Sequence, residues 1–141
     1  MQVTINRQEA NRLYTEGTLL INGRITTHTV ESTQEMLPSG HYIMKIVKHS
    51  ERKQNLYIFC GKERTPWTIG IAPSWKVSRK KSIIAIGEPL IPGIVYQATP
   101  VYERLIDRLS KCMERKETIH LHITQEKCKP SHVIKHWQNN S

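Results

Sequence analysis

The chain has 141 residues, 38% hydrophobic and 23% charged, a composition typical of one soluble globular domain and not of a disordered chain. No apolar run approaches the length of about 20 residues that spans a bilayer, and the N-terminus has no apolar signal segment. The expected location is therefore the cytoplasm, with a phage particle or export outside the Sec route as alternatives.

Strand patterns fill the first hundred residues. Asn22-Gly23 lies between two apolar runs, and because both positions tolerate positive φ, a hairpin with a type I′ turn is predicted there. Tyr42, Met44 and Ile46 alternate with a mixed face. Further short strands are predicted in the segments NLYIFCG, WTIGIA, SIIAIG and GIVYQAT. This order predicts a mostly β fold, either a sandwich or a partly closed barrel.

One C-terminal amphipathic helix is predicted over residues 99–116. Its apolar positions recur at helical spacing, at Val101, Leu105, Leu109 and Cys112, and Thr99 is suited to cap it. The segment ETIHLHIT then predicts a strand with His120 and His122 on its polar face. We expect a single β-rich domain over residues 1–124 and a polar tail over 125–141, either helical or irregular.

Three widely spaced cysteines, Cys60, Cys112 and Cys128, do not form a disulfide framework and agree with a reducing compartment. Cys60 ends an apolar strand and Cys112 lies in the apolar stripe of the helix. Both are expected to be buried, and Cys128 is expected to be the reactive thiol.

Three short segments occur in a distinctive order: THTVE at 27–31, LPSGHY at 37–42 and SIIAIGE at 82–88. With the helix and final strand that follow, they resemble a family of small bacterial and phage domains of unknown function, over residues 16–124. That family is in turn similar to the catalytic domain of L,D-transpeptidases, which cross-link peptidoglycan. The resemblance implies an L,D-transpeptidase-like fold and a site with a Cys thiolate and a neighbouring His.

The positions that match those catalytic groups have changed in this chain. Ala72 stands where the resemblance implies His, and Lys81-Ser82 stands where it implies Gly-Cys. A serine hydroxyl needs a strong adjacent base, which Ala72 cannot supply, so we expect a remnant site with no catalytic residue. A Ser82 nucleophile activated by Lys80 or Lys81 is the remaining catalytic hypothesis.

The positive charge is concentrated beside this segment. Between Lys45 and Lys81 ten basic residues stand against two acidic ones, a balance of +8 out of the chain's +9. Such a field favours an anionic partner. The predicted binding residues, at the basic rim of the cleft, are Trp75, Lys76, Arg79, Lys80 and Lys81. A solvated loop is the alternative for these cations.

Aromatic residues among the cations also allow nucleic-acid binding by base stacking; they are Tyr57, Phe59, Trp67 and Trp75. No recognised nucleic-acid motif is present. Alternation indicates that Tyr57 and Phe59 share one strand face, expected to face the core, and rim packing is the alternative for the tryptophans.

Cysteine and histidine near the C-terminus offer zinc ligands, at His120, His122, Cys128, His132 and His136. The close C-x-x-C pairs of structural zinc sites are missing, and a polar strand face with a polar tail explains the same residues. Neither a metal nor a cofactor is predicted.

The sequence thus predicts a non-catalytic binding or structural module of bacterial or phage origin. Its degenerate transpeptidase-like cleft and basic rim would hold an anionic or peptidic partner, such as peptidoglycan or a protein, and no membrane. The alternatives are a peptidoglycan-active enzyme with altered catalytic groups and a nucleic-acid-binding protein.

Overall fold

The computed structural model describes residues 1–50 and 53–125, which form nine strands and two helices. The tail predicted from residue 126 onward lies outside the described residues. The elements in chain order are β1 (Gln2–Ala10), β2 (Tyr14–Ile21), β3 (Arg24–Ser32), β4 (Gly40–Ser50), β5 (Lys53–Cys60), β6 (Glu63–Gly70), α1 (Trp75–Lys81), β7 (Ile83–Ile91), β8 (Ile94–Tyr96), α2 (Ala98–Glu114) and β9 (Ile119–Gln125).

Eight of these strands pair in a closed ring. The hydrogen-bonded order is β3-β2-β1-β9-β4-β5-β6-β7, and β7 pairs again with β3 through His28–Gly87, Thr29–Ile86 and Val30–Ala85. Strand β8 is an antiparallel partner of β7, and its Ile94 also forms an isolated bridge with Ser74. The predicted mostly β fold is confirmed, and the ring is closed rather than a two-sheet sandwich.

The strands alternate between the interior and the outer surface, as half-buried strands do. In β4, Tyr42 and Met44 are buried, and in β5 the buried positions are Leu56 and Ile58. The apolar face of α2 joins the same core through Val101, Leu105, Leu109 and Cys112. The ring and α2 therefore share the main hydrophobic core, and a second, smaller apolar cluster lies where α1 packs on β3 and β7.

Helix α2 and the first hairpin were predicted, with small differences at the ends. The helix begins at Ala98, and Gln97 takes the N-cap position without a side-chain cap bond, so the prediction that Thr99 caps it is wrong. Asn22 and Gly23 both have positive φ, 49° and 84°, which confirms the predicted turn. None of the described helices is long and apolar enough to cross a membrane.

The prediction of a single helix is wrong, because the basic segment after β6 is itself helical. Helix α1 has no continuous apolar stripe, and its fully buried residue is Ser78, whose hydroxyl donates to the carbonyl of Ile83. Tertiary contacts with β3 and β7 hold this turn of helix, rather than amphipathic periodicity.

A buried ion pair crosses the interior between β1 and β3. Arg7 is 2% exposed and Glu31 is fully buried. The guanidinium donates two hydrogen bonds to the carboxylate, Nε to Oε2 at 2.9 Å and Nη2 to Oε1 at 2.7 Å, and a third to the carbonyl of Leu37 at 2.7 Å. The last residue of THTVE and the first of LPSGHY thus share one buried cation.

Candidate functional site

Ala72, the position matched to the catalytic His, lies inside a small apolar cluster. It is completely buried, and it packs with Val30, Ala85 and Val95. Trp75, Val77 and Ile83 lie against the same cluster. An alanine side chain has neither an acidic proton nor a basic atom, so this position can do no acid–base chemistry.

Ser82, the position matched to the catalytic Cys, is the residue that ends α1. Its backbone is left-handed, with φ 54° and ψ 51°, and its N–H donates to the carbonyl of Ser78. Its own carbonyl accepts the N–H of Thr68 at 3.0 Å. The predicted strand SIIAIG therefore begins one residue later, at Ile83, and Ser82 belongs to the end of the helix. Within the described residues its hydroxyl makes no hydrogen bond to an activating base.

Helix α1 gathers the predicted binding residues. The side chains of Lys76, Arg79, Lys80 and Lys81 are exposed, and none makes an ion pair with another described residue. Three of them lie in the last turn of the helix, where its dipole favours positive charge. The helix therefore presents free cations to solvent. We call these four residues the α1 cations.

Trp75, in contrast, is held by packing. It is half-buried, and its backbone N–H donates to the carbonyl of Gly93 at 3.2 Å. A β-carbon at Gly93 would lie 2.9 Å from a Trp75 ring carbon and 3.0 Å from a Tyr14 ring carbon, so glycine lets both rings approach. Lys76 Nζ lies 5.6 Å from the centre of the Trp75 ring. This tryptophan supports the rim more than it offers a free face.

A second basic surface lies on the outside of four consecutive antiparallel strands, β9, β4, β5 and β6. These strands contain one carboxylate, Glu63 at the start of β6, against four Lys and Arg residues. Register and alternation bring nine side chains together, which we call the basic outer face: His41, Ile43, Lys45, His49, Tyr57, Phe59, Arg64, His120 and His122.

Cations and aromatic rings alternate on this face. Lys45 Nζ lies 4.9 Å from the centre of the Phe59 ring, and Arg64 Cζ lies 4.6 Å from the centre of the Tyr57 ring. The Tyr57 hydroxyl and His49 Nε2 are 3.1 Å apart. Both rings are partly exposed, and Leu56 and Ile58 fill the core instead. Tyr57 and Phe59 share a face as predicted, but the prediction that they face the core is wrong.

Three imidazoles occupy one end of the basic outer face. His41 Nε2 and His120 Nδ1 are 2.9 Å apart, and the centres of the His41 and His122 rings are 4.8 Å apart. Among the described residues no group of three or more His, Cys, Asp or Glu has metal-binding geometry. The other zinc candidates, Cys128, His132 and His136, lie outside the described residues.

The basic outer face could be seen only in part from the sequence. Alternation in HYIMKIVKH places His41, Ile43 and Lys45 on one side, but their neighbours come from β5 and β9, which are distant in the chain. Trp67, the third aromatic candidate, is 8% exposed and belongs to the core. The buried pair of Arg7 and Glu31 also went unpredicted, because each residue lies in a different strand.

Comparison of the chain with protein-family models, with curated proteins and with solved structures finds no match.

Proposed function

We propose that the chain is a non-catalytic binding module for an anionic partner. The observation that carries this proposal is the group of α1 cations, four exposed positive charges in seven residues without an ion pair to the described chain. Exposed cations that are not neutralised within the protein attract an anion through long-range and contact electrostatics.

The chemistry of two positions supports a non-catalytic role. Acyl transfer needs a nucleophile, a base and donors for the oxyanion together. Ala72 is buried among apolar side chains, and the Ser82 hydroxyl has no base among its described hydrogen-bond partners. The lysines among the α1 cations are exposed, so none of them lies in the apolar surroundings that activate a lysine as a partner for a serine nucleophile.

The test uses heparin as an anionic probe, with binding measured across a range of salt concentrations. Replacing Arg79, Lys80 and Lys81 by Gln should weaken binding and reduce the salt dependence of the affinity, because fewer counterions are released. The control replaces Arg104, Arg108 and Lys111 by Gln. These cations are exposed on α2 beside carboxylates such as Asp107, which pairs with Lys111 at 3.3 Å.

Two results would overturn the proposal. Equal losses in the α1 and α2 variants would mean that only net charge matters, so that α1 holds no site. Turnover of tetrapeptide-bearing muropeptides that is abolished by Ser82→Ala would mean that the chain is a peptidoglycan-active enzyme.

A further inference from the structure

We infer that the basic outer face binds single-stranded nucleic acid, with bases stacked on Tyr57 and Phe59 and phosphates beside Lys45 and Arg64. The inference rests on the proposed function, an anionic partner, and it adds the class of partner and a second surface. It uses residues that are separate from the α1 cations, so the two can be tested independently.

The rings are placed as stacking platforms. Tyr57 and Phe59 lie two residues apart, on the same side of β5 and about 7 Å apart along the strand. Each is partly exposed, and neither belongs to the hydrophobic core. Aromatic side chains that stand on an open sheet and are not needed for packing offer π-faces to successive bases.

The cations are placed to follow a phosphate backbone around those rings. Phe59 lies in register with Ile43 on one side and Arg64 on the other, and Lys45 is in register with Tyr57. In the free protein the Lys45 and Arg64 side chains lie over the rings. A stacking base displaces each cation from its ring, and the released charge then contacts the adjoining phosphate.

The surface continues beyond the two rings. His41 and His120 lie on the same outer side of β4 and β9, and a groove of about 230 Å³ opens beside Lys45. Its lining is mixed and includes Met113, Lys116 and Glu117, whose carboxylate pairs with Arg115. Imidazole rings stack with flat heterocycles, and this favours a ligand with several unpaired bases.

The aromatic side chains Tyr57 and Phe59 distinguish a single-stranded nucleic acid from other polyanions. A heavily sulfated polysaccharide such as heparin is held chiefly by the cations, and a duplex keeps its bases stacked inside. A single strand presents both charges and π-faces, which matches a surface with Lys45 beside Phe59 and Arg64 beside Tyr57.

The experiment measures fluorescence anisotropy of labelled single-stranded RNA and DNA of about 15 nucleotides, the upper range for one binding surface, with a duplex of the same sequence and heparin as further arms. Tyr57→Leu and Phe59→Leu should each weaken single-strand binding at least about fivefold and leave heparin binding unchanged. Tyr96→Leu is the matched control, an exposed aromatic on β8. Changing both Lys45 and Arg64 to Gln should lower the salt slope by about 1.4.

The arms separate this inference from the proposed function. Heparin binding through the α1 cations with no single-strand binding would overturn the inference and leave the proposed function standing. Single-strand binding that depends on the α1 cations and is unaffected by Tyr57→Leu and Phe59→Leu would overturn the inference too. No binding to heparin or to any oligonucleotide would overturn both.

Discussion

Removing one member of the buried pair of Arg7 and Glu31 should lower the free energy of unfolding by several kilocalories per mole. In Glu31→Leu the guanidinium of Arg7, 2% exposed, keeps a single described acceptor, the carbonyl of Leu37. An unpaired buried charge of this kind costs about 3–5 kcal/mol, against about 5–15 kcal/mol for the total stability of a domain. Arg7→Met should cost a similar amount, because it leaves the fully buried carboxylate without its two hydrogen bonds.

The double variant Arg7→Met, Glu31→Leu should be more stable than either single variant. It removes both charges and leaves only the Leu37 carbonyl without its donor, a penalty of about 1–3 kcal/mol. Urea unfolding followed by far-UV circular dichroism measures all four proteins, and a constant slope keeps the comparison valid. If the two single costs simply add in the double variant, the two side chains do not depend on each other and the reasoning is wrong.

Two further predictions concern the core and the cysteines. Leu105 is 2% exposed on the buried side of α2, and Leu105→Ala should lower the free energy of unfolding by about 2–4 kcal/mol. The control Arg104→Ala, at the exposed neighbour, should change the free energy of unfolding by less than about 0.5 kcal/mol. Equal effects of the two changes would mean that α2 does not pack on the core. Iodoacetamide should label the exposed Cys60 quickly and the buried Cys112 slowly at neutral pH. Burial, and then the hydrogen bond to Glu117, raise the pKa of the Cys112 thiol, so that its reactive thiolate forms only at higher pH. Peptide mapping by mass spectrometry measures the two labelling rates separately, and equal rates would contradict the burial of Cys112.

Local patterns predicted the elements that depend on local physics. The turn at Asn22-Gly23 follows from the tolerance of both residues for positive φ, and α2 follows from the spacing of Val101, Leu105 and Leu109. The prediction that Cys60 is buried is wrong for a local reason as well. Cys60 is the last residue of β5, next to the turn at Gly61, and its side chain is exposed at this end of the strand.

Features that depend on partners distant in the chain could not be predicted in this way. Consecutive residues of β3 and β7 are buried on both sides of the strands, and the pairing of Val30 with Ala85 that closes the ring is not encoded in either strand alone. Helix α1 has no amphipathic stripe, and it is held in place by contacts such as that of Ser78 with Ile83. The same limit applies to the basic outer face, since its rows join β9, β4, β5 and β6.

Closure of the strand ring separates the residues that stabilise the fold from those that the proposed binding uses. Along β5 the inward residues Leu56 and Ile58 are fully buried, whereas the outward residues Tyr57 and Phe59 are partly exposed and lie beneath Arg64 and Lys45. A change at an inward position removes core packing, whereas a change at an outward position removes a surface platform. The outward residues are therefore under no demand from the core to be aromatic, and their pairing with Lys45 and Arg64 is the feature that a binding role explains and packing does not.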